Sequence, residues 1–459
     1  LYGGLWQEQR PVVDFVLGRE ASALFCEQRT GKTYITAAIV EQILHPEAEI
    51  LGVVPLSNIE TAWVRVLQQV RGLSVCRSWE EYVDTEWPRL LLVHFEAVPK
   101  ISRFLVKNHW TLGYVDESQR LRSRNGKQSK AIGRIKDCER KLILTGTPID
   151  KGLEDLKNPD TSKLAKQDPQ ELWAQFRFLD PTLFGTVWQD FDEEFLRPCG
   201  YKGKERRYRP SMLPEFYSRI SPYIMRVTKT QVGIEPLRIK RAAVFLRGKQ
   251  RQLYREMEED FVTRLGRKVF RAPLKITQKV RLQQLTGGFI TEKKGKKRIQ
   301  HRVGSSKLKR LGKLLPKLQT PTVIFYKFKE ELELILELLE EKYPDAAIDY
   351  ISGQNRQHRT EILDDFQAGR IDYLVVQVRA GGTGVDLYEA NSAAVYSCTH
   401  SYVDFDQLLS RLQVRGKEPI DLWLLYCKGT IDEDILGAIR FKDTVTNRFH
   451  RRVKKRQKR

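Results

Sequence analysis

Apolar and polar positions follow two rhythms along this chain. Within residues 1–150, short unbroken apolar runs recur between helix-like stretches: Ala23-Leu24-Phe25, Ile50-Leu51-Gly52-Val53-Val54, Leu90-Leu91-Leu92-Val93, Leu112-Gly113-Tyr114-Val115 and Lys141-Leu142-Ile143-Leu144. Runs without polar alternation suit strands buried on both faces, so this rhythm predicts a parallel sheet with helices on both sides. From 151 to 300 the pattern turns to helices and charged loops. One helix is expected from Ser221 to Thr230, with Ser221 as N-cap and Pro222 at its first position, and a longer one from Lys249 to Arg267. Near 306 the first rhythm returns, with strands expected at Thr322–Tyr326, Ala347–Ile351, Tyr373–Gln377, Ala393–Tyr396 and Leu422–Tyr426, and a helix at Lys329–Lys342. The expected organisation is α/β: a first parallel-sheet lobe over 1–150, a helical insertion and connector over 151–300, a second lobe over 301–440, and a basic tail over 441–459.

A length of 459 residues agrees with two domains plus insertions. No run approaches the roughly 18 apolar residues of a membrane span, and Leu1-Tyr2-Gly3-Gly4 lacks a basic-then-apolar signal pattern, so no membrane partner is expected. The six cysteines are widely spaced, with no C-x-x-C pair, which argues against a disulfide framework or zinc knuckle and for an intracellular, reducing setting. Charge changes the picture most: 80 Lys and Arg against 58 Asp and Glu give a net +22, so a polyanion partner is expected, nucleic acid being the commonest. Basic residues cluster at Lys202–Arg209, at Lys293–Arg298 and in the stretch from Arg448 to Arg459, which holds eight Lys or Arg and no acid. Each cluster reads equally as a solvated loop or as a phosphate-facing surface.

The chemistry is concentrated in two places. Cys26-Glu27-Gln28-Arg29-Thr30-Gly31-Lys32-Thr33 follows a strand and precedes a helical pattern from Tyr34 to Leu44. A loop entering a helix there aims backbone N–H groups at phosphate oxygens; Lys32 would reach the β- and γ-phosphates and the Thr33 hydroxyl would bind Mg²⁺. Cys26 stands where the phosphate-loop pattern has its first glycine. Tyr114-Val115-Asp116-Glu117 then puts two carboxylates at the end of an apolar strand, where Asp116 would hold Mg²⁺ through water and Glu117 would polarise the attacking water. An acidic turn is the alternative for that pair alone, but the loop and the pair together point to ATP hydrolysis. Gln407, Arg411 and Arg415 lie at i, i+4 and i+8 on one face of a predicted helix, the spacing expected of a group stabilising charge on a transferred phosphoryl, though equally of a solvated face.

Further segments fall in a fixed order. Leu5-Trp6-Gln7-Glu8-Gln9-Arg10 precedes the phosphate loop, and Val53-Val54-Pro55-Leu56-Ser57 with Trp63 follows it. Asp116-Glu117-Ser118-Gln119 comes before Leu144-Thr145-Gly146-Thr147-Pro148-Ile149. Arg379-Ala380-Gly381-Gly382-Thr383-Gly384-Val385-Asp386-Leu387 and Gly429-Thr430-Ile431-Asp432-Glu433 lie in the second lobe. In this order they resemble the superfamily-two helicase-like ATPases, and within them the Swi/Snf-type double-stranded DNA translocases, over nearly the whole chain. The resemblance implies two RecA-like P-loop lobes with ATP and Mg²⁺ between them. It implies an adenine-reading Gln9, and nucleotide contacts from Glu27, Thr30, Gly31, Lys32, Thr33, Gly384, Asp386, Gln407 and Arg411. It implies a metal site at Thr33 and Asp116, and catalytic roles for Lys32, Asp116, Glu117, Arg411 and Arg415. DNA contacts are implied at Pro55, Ser57, Trp63, Thr145, Thr147, Arg379, Gly381, Gly382 and Thr383.

Departures from the family pattern are Arg29 for a glycine and Gln119 for the histidine that follows the acids. Val414 stands at the second arginine, so either Arg415 serves through a local shift or one arginine remains. The resemblance to compact phage and bacterial and to annealing-helicase branches implies a monomer or partner-recruited motor that handles duplex, forked or branched DNA without reading sequence. The rivals are a single-strand or RNA helicase and a regulatory module that ATP merely switches.

Overall fold

The computed structural model describes residues 1–148, 169–185, 187–199, 205–266, 268–272, 274–294, 297–378, 386–399 and 401–437. The chain divides between Ile234 and Glu235 into two compact units, so residues 151–300, expected as a separate connector, are shared between them.

In the first unit the strands are β1 (Ala21–Leu24), β2 (Glu49–Val54), β3 (Ser74–Cys76), β4 (Arg89–His94), β5 (Trp110–Asp116), β6 (Cys138–Leu144), the pair β7 (Leu196–Cys199) and β8 (Glu205–Tyr208), and β9 (Ile224–Met225). Seven of them form a parallel sheet in the order β3-β4-β2-β5-β6-β1-β9. All seven residues of β5 are buried, which is why its sequence shows no polar alternation. Leu24 at the end of β1 and Asp116 at the end of β5 both align with Leu144 at the end of β6. The loops that leave these three strands therefore start from one edge, the carboxyl edge where α/β sheets place their ligands. Beyond β1 the chain turns at Gly31 into the helix Lys32–Ile43, whose side facing the sheet buries Ile35, Ala38 and Ile39.

The second unit contributes β10 (Arg238–Val244), the hairpins β11 (Val262–Leu265) with β12 (Lys268–Arg271) and β13 (Phe289–Lys294) with β14 (Lys297–Arg302), then β15 (Thr322–Tyr326), β16 (Ile348–Ile351), β17 (Tyr373–Gln377), β18 (Ser392–Val395) and β19 (Asp421–Cys427). Six form a second parallel sheet in the order β10-β19-β18-β15-β17-β16. The helix Lys329–Lys342 forms where expected, because Glu331 at its third position turns back to accept the N–H groups of Lys327 and Phe328. The expected α/β class, two parallel-sheet lobes with helices, is what the chain adopts. Among the described residues no helix is long and apolar enough to cross a membrane.

One expected helix does not form and another stops early. Ser221–Thr230 makes a short turn and then β9, because the Phe25 N–H donates to the Met225 carbonyl and pulls Ile224 and Met225 onto the open side of β1. Sheet pairing there outweighs the N-terminal signal of Ser221-Pro222. The helix expected at Lys249–Arg267 runs from Gly248 to Glu259; Phe261 then adopts φ +58° and Gly266 φ +61°, and the chain reverses into the β11–β12 hairpin. Strands are also commoner in this middle region than the charged sequence suggests, since each small hairpin buries only one or two apolar side chains, such as Leu196 and Tyr208, Phe270, or Phe289 and Ile290, too few to show as an apolar run.

One buried ion pair spans the second unit. Lys307 Nζ lies 2.6 Å from Asp432 Oδ2, and Asp432 also accepts the Thr286 hydroxyl and the Cys427 N–H. Burial works against the Lys307 charge, but Asp432 outweighs it and lifts the lysine above its usual range. Removing one member strands the other in the core, which typically costs about 3–5 kcal/mol. Lys307→Met is therefore expected to lower the melting temperature of the second unit by several degrees in a calorimetric scan; an unshifted transition would show that the pair is dispensable.

Candidate functional site

The turn after β1 begins with Phe25 and Cys26, both buried, and reaches Gly31 at φ +86°. A Cβ on Gly31 would come within 2.1 Å of Gln9 Nε2, so glycine is required here on both backbone and steric grounds. Gln9 itself is buried and clamps the loop: its Nε2 donates to the Thr30 carbonyl at 3.0 Å while its Oε1 accepts the Trp6 N–H. Arg29 sits at φ +70°, the left-handed region that glycine adopts freely; an arginine held there costs about 1–3 kcal/mol of backbone strain. Thr30 is buried, with its hydroxyl donating to the Glu27 carbonyl.

Lys32 opens the helix, is 9% exposed, and donates to the carbonyls of Cys26 (3.0 Å) and Glu27 (3.1 Å). Thr33 follows it, half-buried. Glu27, expected at the nucleotide, turns the other way: its carboxylate accepts Arg226 at 2.7 Å and the Lys229 N–H at 2.9 Å, locking the loop to the segment after β9.

Asp116 and Glu117 leave the same sheet edge. Asp116 Oδ1 accepts the Glu117 N–H at 2.9 Å and Oδ2 accepts the indole N–H of Trp63 at 3.1 Å. Burial and the neighbouring Glu117 raise the Asp116 carboxyl to about 7, with Lys32 and Trp63 acting in the opposite direction. Glu117 holds a left-handed conformation at φ +50°, which aims its carboxylate at two amides: Gln28 donates to Oε1 at 3.3 Å and Gln119 donates to Oε2. Gln119 Oε1 in turn accepts the Thr145 hydroxyl at 2.6 Å, and Thr145 Oγ1 accepts the Thr147 N–H at 3.0 Å. The residue that replaces a histidine thus links the acids to the turn after β6. Gln28 and Gln119 were missed as site residues from sequence; a polar amide directly beside each motif was the only signal.

Three expected DNA contacts need correction. Trp63 is 1% exposed, stacked on Tyr114 and bonded to Asp116, so its ring offers no face to a DNA backbone. Thr145 and Thr147 are buried as well, with the Thr145 hydroxyl committed to Gln119. Ser57 is exposed and Pro55 half-buried.

In the second unit Asp386 and Arg411 come together, the guanidinium Nη1 lying 3.8 Å from Asp386 Oδ1 and the Leu387 N–H donating to the Arg411 carbonyl. The helix carrying Gln407 runs only from Tyr402 to Ser410, with Arg411 as its C-cap. Arg415 lies beyond it in an exposed turn, so the three residues do not share one helical face as their spacing suggested. The expected sites at Arg379, Gly381, Gly382, Thr383 and Gly384, and the basic tail, fall outside the described residues.

The Asp116 shift has a consequence for stability. Between about pH 4 and 7 the folded chain holds a proton on Asp116 that the unfolded chain has lost, so this group makes the fold less stable as pH rises through that window, by about 1.4 kcal/mol per pKa unit. In Mg²⁺-free buffer the wild-type melting temperature should therefore fall relative to that of Asp116→Asn between pH 5 and pH 8. An equal difference at both pH values would contradict a buried, charge-burdened carboxyl.

Comparison with known proteins places these features in a family. The SNF2-related domain model matches residues 9–301, and the model of the Helicase conserved C-terminal domain matches residues 306–414. The chain is 26% identical over 468 residues to the Chromodomain-helicase-DNA-binding protein 1 of Gallus gallus, covering 91% of this chain and 25% of that protein. It is 25% identical to the SWI/SNF-related matrix-associated actin-dependent regulator of chromatin subfamily A member 1 of Mus musculus, covering 91% and 40%. To the Nuclear protein STH1/NPS1 of Saccharomyces cerevisiae it is 23% identical, covering 81% and 29%. The chain thus spans between a quarter and two fifths of the length of these relatives. A solved Sulfolobus solfataricus SWI2/SNF2 ATPase core in complex with dsDNA aligns with 97% of this chain and 93% of that one, at 19% identity and a TM-score of 0.42. One family model running from Gln9 to His301 takes in more than half of the chain, and the protein accordingly belongs to the SNF2-related family.

Proposed function

We propose that the chain is an ATP-driven motor acting on double-stranded DNA. The observation that carries this reading is that the loop leading to Lys32 and the Asp116–Glu117 pair leave one edge of the first sheet, where the ends of β1 and β5 both align with Leu144, and that Lys32 lowers the Asp116 carboxyl against its burial. Lys32 would exchange its carbonyl partners for β- and γ-phosphate oxygens. Glu117, fixed by Gln28 and Gln119, would accept a proton from the attacking water. The Thr33 hydroxyl and the Asp116 carboxylate are hard oxygen donors that suit Mg²⁺, and the raised Asp116 carboxyl marks a pair short of positive charge, so these residues fit the ion. Mg²⁺, when bound, would neutralise charge on the phosphates.

From the second unit Arg411 would stabilise charge on the departing γ-phosphoryl, with Asp386 orienting the guanidinium. The net charge of +22 and the exposed Leu56 and Ser57 after β2 support a phosphate-facing surface that would grip DNA without reading its sequence. The DNA-binding named for the Gallus gallus relative supports DNA as the track.

The test is the hydrolysis rate with linear duplex, forked DNA, single-stranded DNA or RNA added, measured on the unmodified chain and on Arg411→Ala. Duplex and fork should stimulate most, and Arg411→Ala should bind ATP normally but hydrolyse it about 10³-fold more slowly. Stronger stimulation by RNA or single strands would overturn the duplex assignment. Unchanged hydrolysis in the variant would remove Arg411 from catalysis.

A further inference from the structure

The burial of Trp63 raises the question of what its indole does at the carboxylates. Trp63 lies on a six-residue π-helical turn, Ile59–Val64, directly after the Pro55–Asn58 segment. Such wide turns are rare and frequently lie at functional sites. The two faces of this turn look in opposite directions. On the outside, Leu56 is 62% exposed, Ser57 and Thr61 are exposed, and the Thr61 hydroxyl donates to the Ser57 carbonyl at 2.9 Å, tying turn to loop. On the inside, the indole donates its one N–H to Asp116 Oδ2, and the ring stacks on Tyr114 with centroids 4.9 Å apart. Tyr114 fills the space over Gly52 of β2, where a Cβ would come within 2.4 Å of its hydroxyl. The stack is therefore seated against the sheet, and the one polar atom of the indole meets one oxygen of Asp116.

We propose that Trp63 is a positioning residue with two linked effects. Its N–H orients Asp116 for the divalent cation, and the π turn carries occupation of the Pro55–Asn58 loop by a DNA phosphate to that carboxylate. Asp116 has both oxygens engaged, one by the Glu117 N–H and one by Trp63, so the carboxylate plane is fixed and the remaining lone pairs point in a set direction. A phosphate drawing the loop outward would act on the turn through the Thr61–Ser57 hydrogen bond and re-aim the indole, which lies two residues further along the same turn. The cation half stands on the geometry alone; the DNA half rests on the function proposed above. Donors that orient a metal ligand are typically worth roughly 10–100-fold in metal affinity.

The experiment measures the affinity of a fluorescent ATP analogue with and without Mg²⁺, and separately the stimulation of hydrolysis by duplex DNA. Trp63→Phe keeps an aromatic ring for the stack and removes the N–H. It should bind the analogue normally without Mg²⁺ while losing roughly 10-fold of the gain that Mg²⁺ confers. Thr61→Val, at an exposed position, should keep the full Mg²⁺ gain in the absence of DNA but lose most of the duplex stimulation. A full Mg²⁺ gain in Trp63→Phe would overturn the positioning role, and full stimulation in Thr61→Val would overturn the transmission. Absence of duplex stimulation in the unmodified chain would overturn the transmission together with the proposed function, while the Mg²⁺ arm would still stand or fall by itself.

Discussion

Two carboxylates on consecutive residues, buried at the end of an apolar strand, repel each other in surroundings that solvate neither well. The first unit is arranged around that repulsion. Asp116 receives an indole and a backbone N–H, Glu117 receives two side-chain amides, and Lys32 faces them from the neighbouring loop. These donors hold the pair without cancelling its charge, as the raised Asp116 carboxyl shows. A site poised in this way gains most from a ligand that brings cationic charge with it, and a metal-bound triphosphate is such a ligand.

The same donors spread the state of the pair outward. Gln119 can donate to Glu117 and accept from Thr145 at once because an amide carries both functions, so the turn after β6 is coupled to the acids through one side chain. Ser118 adds a second tie, donating to the buried Gln175, which donates in turn to the carbonyls of Pro148 and Glu171. The acids and the residue after them are therefore tied by hydrogen bonds to the start of the segment that follows β6. Glu27 plays the corresponding part for the phosphate loop through Arg226 and Lys229.

Much of this was legible in the residues. The fully buried strands announced themselves as unbroken apolar runs, and the loop and acids could be singled out because phosphate chemistry fixes the order and types of such residues. The errors had local physical causes. Ser221-Pro222 carries a helix-start signal that the open side of β1 overrode, and Arg415 matched a helical spacing on a helix that stops at Ser410. Trp63, Thr145 and Thr147 were recognised as motif residues but assigned to the DNA surface. A motif shows that a residue matters, whereas only packing shows that these three face inward, toward the acids and Gln119. The amides of Gln28 and Gln119 gave no sequence signal beyond lying beside the motifs, because Gln28 reaches Glu117 and Gln119 reaches Thr145 only across the fold.

The central claim is that the paired acids perform hydrolysis and do not merely hold nucleotide. Single-turnover conversion of pre-bound, radiolabelled ATP on Glu117→Gln tests it most directly. The account predicts that ATP stays bound and uncleaved under conditions where the unmodified chain releases phosphate; cleavage at the unmodified rate would contradict it.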